Sequence, residues 1–331
     1  MSRYRTPLRY PGGKQRLTPF VIEILQANGL LGADYVEPYA GGAGVAMELL
    51  LAKKVSRVHL NDSSAPIYAF WKSIKSKPEA FCRRISRAAL NVEEWRKQRE
   101  VVRNPQAHCQ LDLGFATFYL NRCNRSGVLN GGLIGGLDQK GQWKIDARFP
   151  RKELIQRVEN IAAMRDKIRL KNMDAEDFIQ DYVSVLPTET FVYCDPPYFE
   201  KANRLYLDHY APDDHKRISK VIQKISQKWI VSYDGVEEIL DYYHKRKMFL
   251  YSLQYNAARA YKGTEVFVFS DRVKIPPHSL LPEIDVALRA NAKKLKRSKV
   301  NGPSKSKKAV NTVRSNSKAG PLVKGRSRLS A

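Results

Sequence analysis

The sequence has little acid for its size: 33 Asp and Glu stand against 58 Lys and Arg in 331 residues, a formal net charge of +25. Residues 289–331 have no acid at all and hold 14 Lys or Arg, yet residues 1–288 still carry +11. The excess is therefore not confined to the tail. A polyanionic partner is its simplest cause, because Lys and Arg that neutralise phosphates release condensed counterions. The sequence has no run of 18 apolar residues, so no membrane-spanning helix is expected. The opening MSRYRTPLRYPGGK contains no apolar stretch of the kind a secretory leader needs, so secretion is not expected either. Cysteine is scarce. Cys82, Cys109, Cys123 and Cys194 form no CxxC pair, which fits reduced thiols in a cytosolic protein. The six histidines lack ligand spacing, so no structural zinc or other metal is expected. What is present is a 43% hydrophobic fraction, enough for a sizeable core in one large or two ordinary domains.

The stretch ADYVEPYAGGAGVAMELLLAKKVSRVHLNDSS (33–64) reads as strand, glycine turn, helix and second strand, one βαβ half-unit. Gly41, Gly42 and Gly44 make the turn. Asp62 ends the second strand about 20 residues further on, where an acid grips ribose hydroxyls. NAD and S-adenosylmethionine both carry such a ribose, and these residues alone leave the choice open. PGGKQR (11–16) is no phosphate loop: Leu8 stands where the first glycine is needed and Gln15 where Ser or Thr is needed.

Residues 66–165 have a mostly helical pattern ending in a glycine-rich loop, SGVLNGGLIGGLDQKGQW. The α/β rhythm then resumes, with strands at KIRLKNM, ETFVYCD and KWIVSYD and helices at 174–183, 212–227 and 235–244. KMFLYSLQY and GTEVFVFS are two β-rich runs suited to an antiparallel end. The expectation is a doubly wound Rossmann-like α/β sheet over residues 1–65 and 166–288, interrupted by a helical insertion at 66–165. A basic tail, 289–331, has a composition that forms no core.

FVYCDPPYF (191–199) ends a strand abruptly, since two prolines remove two donors and fix two φ angles. Asp195 is left at the carboxyl edge of the sheet, where ligands of open α/β folds bind. A carboxylate and a proline carbonyl there can accept both N–H bonds of a nucleobase amino group. That returns density to a lone pair otherwise delocalised into the ring, so the nitrogen can take a methyl group by positioning and electrostatics. Tyr198 is expected to offer a face on which a flipped base stacks.

RYPGGK, EPYAGGAG, ND at 61–62, FYLNR, DAEDF and DPPY occur here in an order that resembles the Dam-type adenine-specific (N6-adenine) DNA methyltransferase family, over roughly residues 3–275. The resemblance implies an S-adenosylmethionine-dependent methyltransferase sheet in which the insertion is a target-recognition domain. It implies Asp195, Pro196, Pro197 and Tyr198 as the catalytic set. Tyr10, Lys14, Glu37, Tyr39, Gly41, Gly42, Gly44, Asp62, Asp177 and Phe178 would hold the cofactor. Within the last group, Glu37 and the glycine turn would cradle the methionine part, Asp62 the ribose, Asp177 the adenine amino group and Phe178 the adenine ring. Tyr119, Asn121, Arg122, Asn124, Arg125, Ser126 and Asn130 are the candidate DNA contacts, Arg reading guanine and Asn adenine edges. Tyr255 would wall the base pocket.

Family members that read GATC continue after LNR with a YNGL-like stretch. Here CNRSGVLNGG follows, so GATC is not expected. The expected partner is duplex DNA and the expected state is a monomer in a bacterial or phage-type cytoplasm, associated with the nucleoid. Such a protein would suit the modification half of a restriction system. The rival readings are an RNA adenine methyltransferase, a DNA-binding module of the same fold without turnover, and a dinucleotide oxidoreductase, which leaves the proline pair and the basic body unexplained.

Overall fold

Apolar residues alternate along the strands so that both faces of one sheet are covered. In the strand Lys228–Asp234, Ile230 faces one core while Trp229, Val231 and Tyr233 face the other. In Tyr261–Phe269, Phe267 and Phe269 oppose Val266 and Val268. Strands buried on both faces need helices on both. The computed structural model describes residues 5–9, 14–199, 210–255, 261–276 and 287–288. Residues 289–331, the expected disordered tail, lie outside them, as does Tyr10.

The strands are β1 (Asp34–Glu37), β2 (Arg57–Asn61), β3 (Ile168–Lys171), β4 (Phe191–Cys194), β5 (Lys228–Asp234), β6 (Lys247–Tyr255), β7 (Tyr261–Phe269) and β8 (Ala287–Leu288). Their order is β3-β2-β1-β4-β5-β7-β6-β8. The first five in that order are parallel, with Val36 opposite Val192 and Cys194 opposite Val231. The expected antiparallel end is the β6–β7 pair. β7 inserts between β5 and β6 and sets Glu265 opposite Asp234. The direction of winding reverses between β1 and β4, which is where a doubly wound sheet opens a crevice.

Helices α1 (Thr18–Ala27), α2 (Gly44–Leu51), α3 (Ala65–Ser76), α4 (Pro78–Arg87), α5 (Val92–Arg103), α6 (Gln110–Cys123), α7 (Arg151–Ala162), α8 (Ala175–Asp177), α9 (Pro212–Ile222) and α10 (Glu237–Tyr242) follow local signals. Proline sits in the first turn of α1, α3, α4 and α9, where its missing N–H leaves no bond unmade. Asn91 caps α5 by accepting the Glu94 N–H at 2.8 Å. The helix expected at 174–183 starts as one α turn and widens into a π-helix over Phe178–Val183, with the Phe178 and Tyr182 rings stacked 5.0 Å apart.

The helices between β2 and β3 pack through aromatic side chains. Phe70 of α3 stacks on Phe118 of α6 at 6.2 Å, and Phe81, Phe115 and Phe149 close around that pair. This cluster is continuous with the one under the sheet, through Trp71, Leu49, Tyr35 and Phe191. Each buried Phe contributes about 1.5–3 kcal/mol. Among the described residues no helix is long and apolar enough to cross a membrane, and no group of His, Cys, Asp or Glu is arranged to hold a metal.

Candidate active site

β1 and β4 deliver their carboxyl ends to one place, and the residues that follow them form two facing turns. After β1, the chain turns at Ala40–Ala43 and enters α2. Gly41 has φ 45° and Ala43 sits in the left-handed region at φ 44°, a strained place for a residue with a Cβ. Polar groups from three distant segments hold the turn. Trp71 Nε1 donates to the Gly41 carbonyl at 2.9 Å, Thr6 Oγ1 to the Gly42 carbonyl at 2.6 Å, and the Gly41 N–H to Asp62 Oδ2 at 2.7 Å. At Gly44 a Cβ would lie 3.2 Å from Gln15 Cβ, so the absence of a side chain lets α2 approach the turn Lys14–Leu17.

Glu37 is buried beside this turn. Its Oε1 accepts from Tyr35 OH and the Ala46 N–H, both at 3.0 Å. Burial pushes its carboxyl up to about 8, against the pull of those two hydrogen bonds and with help from the Asp195 charge. Asn61, fully buried, ties the strand ends together. Its Nδ2 donates to the Pro38 and Met173 carbonyls, each at 3.1 Å, and its Oδ1 accepts the Met173 N–H at 3.0 Å.

After β4 comes Asp195. Its Oδ1 accepts from Ser232 Oγ on β5 at 2.6 Å and lies 3.4 Å from the Lys14 ammonium. The Asp195 side chain keeps 28% of its surface exposed, whereas that of Lys14 keeps 3%. Burial raises the Asp195 pKa, while Lys14 and the Ser232 hydrogen bond restrain the rise. Burial alone would lower Lys14, but Asp195 and Glu265 together carry it well above the ordinary lysine range, so it stays an ammonium. Behind it, Glu265 of β7 lies 3.3 Å from Lys14 Nζ and accepts from Tyr198 OH at 2.7 Å and Tyr251 OH at 2.6 Å. Lys14 also donates to Tyr198 OH at 2.6 Å. An exposed-edge carboxylate is thus backed by a buried lysine, a second carboxylate and two tyrosines. The register of β5 and β7 and the strand-ending prolines converge on it.

Several sequence expectations need correction. Tyr198 is 3% exposed, its hydroxyl is shared by Lys14 and Glu265, and the Lys14 ammonium lies 4.8 Å from its ring centroid. It anchors the turn, and its ring is not free for a base. Lys14, expected along the cofactor, reaches Asp195 instead. Phe178 is fully buried with its ring against Tyr182, so it belongs to the core. Asp62 spends both carboxylate oxygens on the backbone, on Gly41 N–H and on Ser64 N–H at 3.0 Å. Tyr39 is partly exposed beside the turn, its hydroxyl 3.1 Å from that of Tyr210, and Asp177 is exposed at the end of α8.

The FYLNR motif differs most. Tyr119, Asn121, Arg122 and Asn124 are all buried, and their polar atoms bond within the protein, mostly to its backbone. Asn121 brackets Arg9, accepting its N–H and donating to its carbonyl, each at 2.7 Å, and it also donates to the Gly127 carbonyl at 2.9 Å. Arg122 Nε donates to the Arg148 carbonyl at 2.6 Å. Asn124 accepts from Trp95 Nε1 at 2.7 Å and donates to the Val128 and Leu129 carbonyls. Tyr119 OH donates to the Ala89 carbonyl at 2.8 Å. Gly127 has φ 78°, and a Cβ there would come within 2.2 Å of the Arg9 carbonyl, so this loop lies directly on the N-terminal segment. Arg125, Ser126 and Asn130 do face outward. So do Leu137 (57% exposed) and Trp143 (62%), which the sequence reading did not single out.

Sequence reading also missed Ser232 and Glu265. The signal for Glu265 was available: in TEVFVF it shares the period-2 face of Phe267 and Phe269, and an acid on a core face needs a buried partner.

A family model described as D12 class N6 adenine-specific DNA methyltransferase matches residues 10–259. The Type II methyltransferase M.MjaIII of Methanocaldococcus jannaschii is 22% identical over 241 residues, 67% of this chain and 80% of that protein. Among solved structures, the rRNA methyltransferase aviRa from Streptomyces viridochromogenes is 12% identical with a TM-score of 0.32, covering 80% of this chain and 87% of its own. A Legionella pneumophila protein, LPL1258, is 10% identical with a TM-score of 0.34, covering 82% and 88%. Neither structural likeness bears on function.

Proposed function

The chain belongs to the D12 class N6 adenine-specific DNA methyltransferase family, and from that premise we propose how its residues divide the work of methylating adenine in DNA. The enzyme is an adenine-specific DNA methyltransferase, and its family uses S-adenosylmethionine. When bound, that cofactor supplies an electrophilic methyl group on a cationic sulfur. The residues at the β1 turn suit a cation of this kind. Among the described residues no cation pairs with the buried carboxyl of Glu37, and Gly41 and Ala43 hold the adjoining turn in the left-handed region. Glu37, Tyr39 and the turn would hold the cofactor. Asp62 would act through the turn it braces, and Asp177, exposed at the end of α8, would reach the adenine end.

Asp195 carries the reading. It stands at the carboxyl edge of β4, across the switch point from the glycine turn, with Ser232 and Lys14 fixing one oxygen. The other oxygen is left to accept an N6–H of an extruded adenine, and the Pro196 carbonyl takes the second N–H. The nitrogen lone pair is thereby freed to attack. After attack the N6 proton passes to Asp195 or to water. Lys14 favours the ionised form of Asp195 against the burial that opposes it. Pro197 stiffens the turn and Tyr198 pins it to Glu265.

Arg125, Ser126 and Asn130 would read bases from the loop after α6. Helices α3–α7, within residues 66–165, would be the target-recognition part, and residues 289–331 would add nonspecific attraction to DNA. The relative's name makes partnership with a restriction enzyme part of this proposal, as are a monomeric state and residence with the nucleoid. Transfer of a labelled methyl group to duplex DNA, with RNA as the parallel substrate, tests the reading. Asp195→Ala should abolish transfer by at least about 100-fold while S-adenosylhomocysteine still raises Tm. Normal turnover in that variant, or stabilisation by NADH instead, defeats it.

A further inference from the structure

Four arginines converge where the N-terminal segment crosses the end of α6. Arg9 is bracketed by Asn121 through its backbone, which leaves its side chain unused by that contact. Arg122, the next residue of α6, is buried and bonds the Arg148 carbonyl at 2.6 Å and the Pro7 carbonyl at 3.5 Å. Arg157 reaches the Thr6 carbonyl at 3.4 Å. The partners are backbone carbonyls, and one carboxylate is near: Glu153, 59% exposed, lies 3.3 Å from Arg157. Among the described residues Arg9, Arg122 and Arg148 have no ion pair, and Arg9 Nη1 is buried with no hydrogen-bond partner.

The four charges oppose one another. Burial, then Arg9 and Arg157, push Arg122 down to about 9, and burial followed by Arg148 lowers Arg9. Four cations with one half-exposed carboxylate among them are short of anionic partners, and a buried charge needs one. Arg148 is exposed at the rim with its guanidinium 6.0 Å from the Trp143 ring, so the cluster opens outward beside the loop of Arg125 and Ser126. Lys14, which lies 3.4 Å from Asp195, is only five positions beyond Arg9 in the chain.

We propose that Arg9, Arg122 and Arg148 form a seat for a backbone phosphate of the DNA strand, next to the base-reading loop and within reach of the target nucleotide. This rests on the reading of the protein as a DNA methyltransferase. The guanidinium fork matches a phosphate bidentately, and the phosphate removes the repulsion that the empty cluster carries.

The test compares the full chain with Arg9→Ala/Arg148→Ala, two positions whose side chains hold no backbone group, and with the conservative Arg9→Lys/Arg148→Lys. Binding of a duplex oligonucleotide is titrated against salt. The double alanine variant should lower the slope of log affinity against log salt by about 0.9, the loss of one phosphate, so that its affinity falls about 3.5-fold less between 50 and 200 mM salt. The lysine variant should keep most of the slope. Without DNA, the alanine variant should melt at the same temperature or higher, because a repulsion has gone; an ordinary structural pair would melt lower. An unchanged slope overturns the seat, and so does a slope change accompanied by lost stability. Stabilisation of the wild type by inorganic phosphate with an unchanged DNA slope also overturns it, since the seat would then serve a free phosphate. The measurement is of binding, so a wild type that bound DNA through this seat without methylating it would defeat the enzymatic reading alone.

Discussion

Replacing Glu37 by Gln should make the protein more stable, by an amount that depends on pH. In the folded protein the carboxyl is held near 8, against 4.5 for the ordinary group. At pH 7 the unfolded chain has released this proton and the folded chain has kept it, so folding must take up a proton against the solution. Two and a half pH units above 4.5, at about 1.4 kcal/mol each, make that penalty about 3 kcal/mol. A raised carboxyl pKa means that stability falls as pH rises from 4.5, and the fall ends once pH passes 8. Glutamine has the shape of the protonated acid and keeps an oxygen to accept from Tyr35 OH and the Ala46 N–H. Its advantage should vanish below about pH 4, reach about 3 kcal/mol at pH 7 and level off near 5 kcal/mol above pH 8. Urea unfolding of both proteins at pH 4, 7 and 8.5 measures it. The same variant should bind S-adenosylmethionine more weakly, and its affinity should lose the rise with pH expected of the wild type, because only the ionised carboxylate attracts a cation. A stability difference that ignored pH, or a variant less stable than the wild type at pH 7, would refute the reasoning.

Other substitutions separate the remaining roles. Lys14→Met should lower kcat and move the acid limb of the methylation–pH profile upward, because the charge that restrains the Asp195 pKa is gone; an unmoved limb would remove Lys14 from that role. Asn121→Ala should cost about 2–4 kcal/mol of stability through three lost backbone contacts, read by thermal melting. Arg125→Ala, on an exposed side chain, should leave stability within about 0.5 kcal/mol and change which sites are methylated in a sequenced genome.

The βαβ half-unit, the strand-ending prolines and the antiparallel end were legible because each has a local cause. Period-2 alternation, a glycine turn and missing donors act within a few residues. The FYLNR motif was not legible in the same way. Asn and Arg offer the same donors and acceptors to a base edge as to a carbonyl, so composition cannot tell a reader of DNA from a clasp on the backbone. The Asn121–Arg9 contact joins residues 112 positions apart, and no window along the chain contains both. Ser232 and Glu265 reach Asp195 through the pairing of β4, β5 and β7, which only the strand order supplies. Tyr198 was read as a platform because an aromatic after two prolines stands at a cleft. A buried acid 67 residues later took its hydroxyl instead.

The aromatic packing that joins Phe70, Phe81 and Phe118 to Tyr35 and Phe191 bears on how such enzymes exchange specificities. A transplant of the whole segment between β2 and β3 from a relative would carry away much of a shared interior and leave the sheet with unfilled volume. The outward loop around Arg125 and Asn130 touches that interior far less. On the proposed base-reading role of that loop, new target preferences would be most cheaply reached by rewriting a few of its side chains on an unchanged scaffold, with Asn121 and Gly127 left in place to hold the loop against the start of the chain.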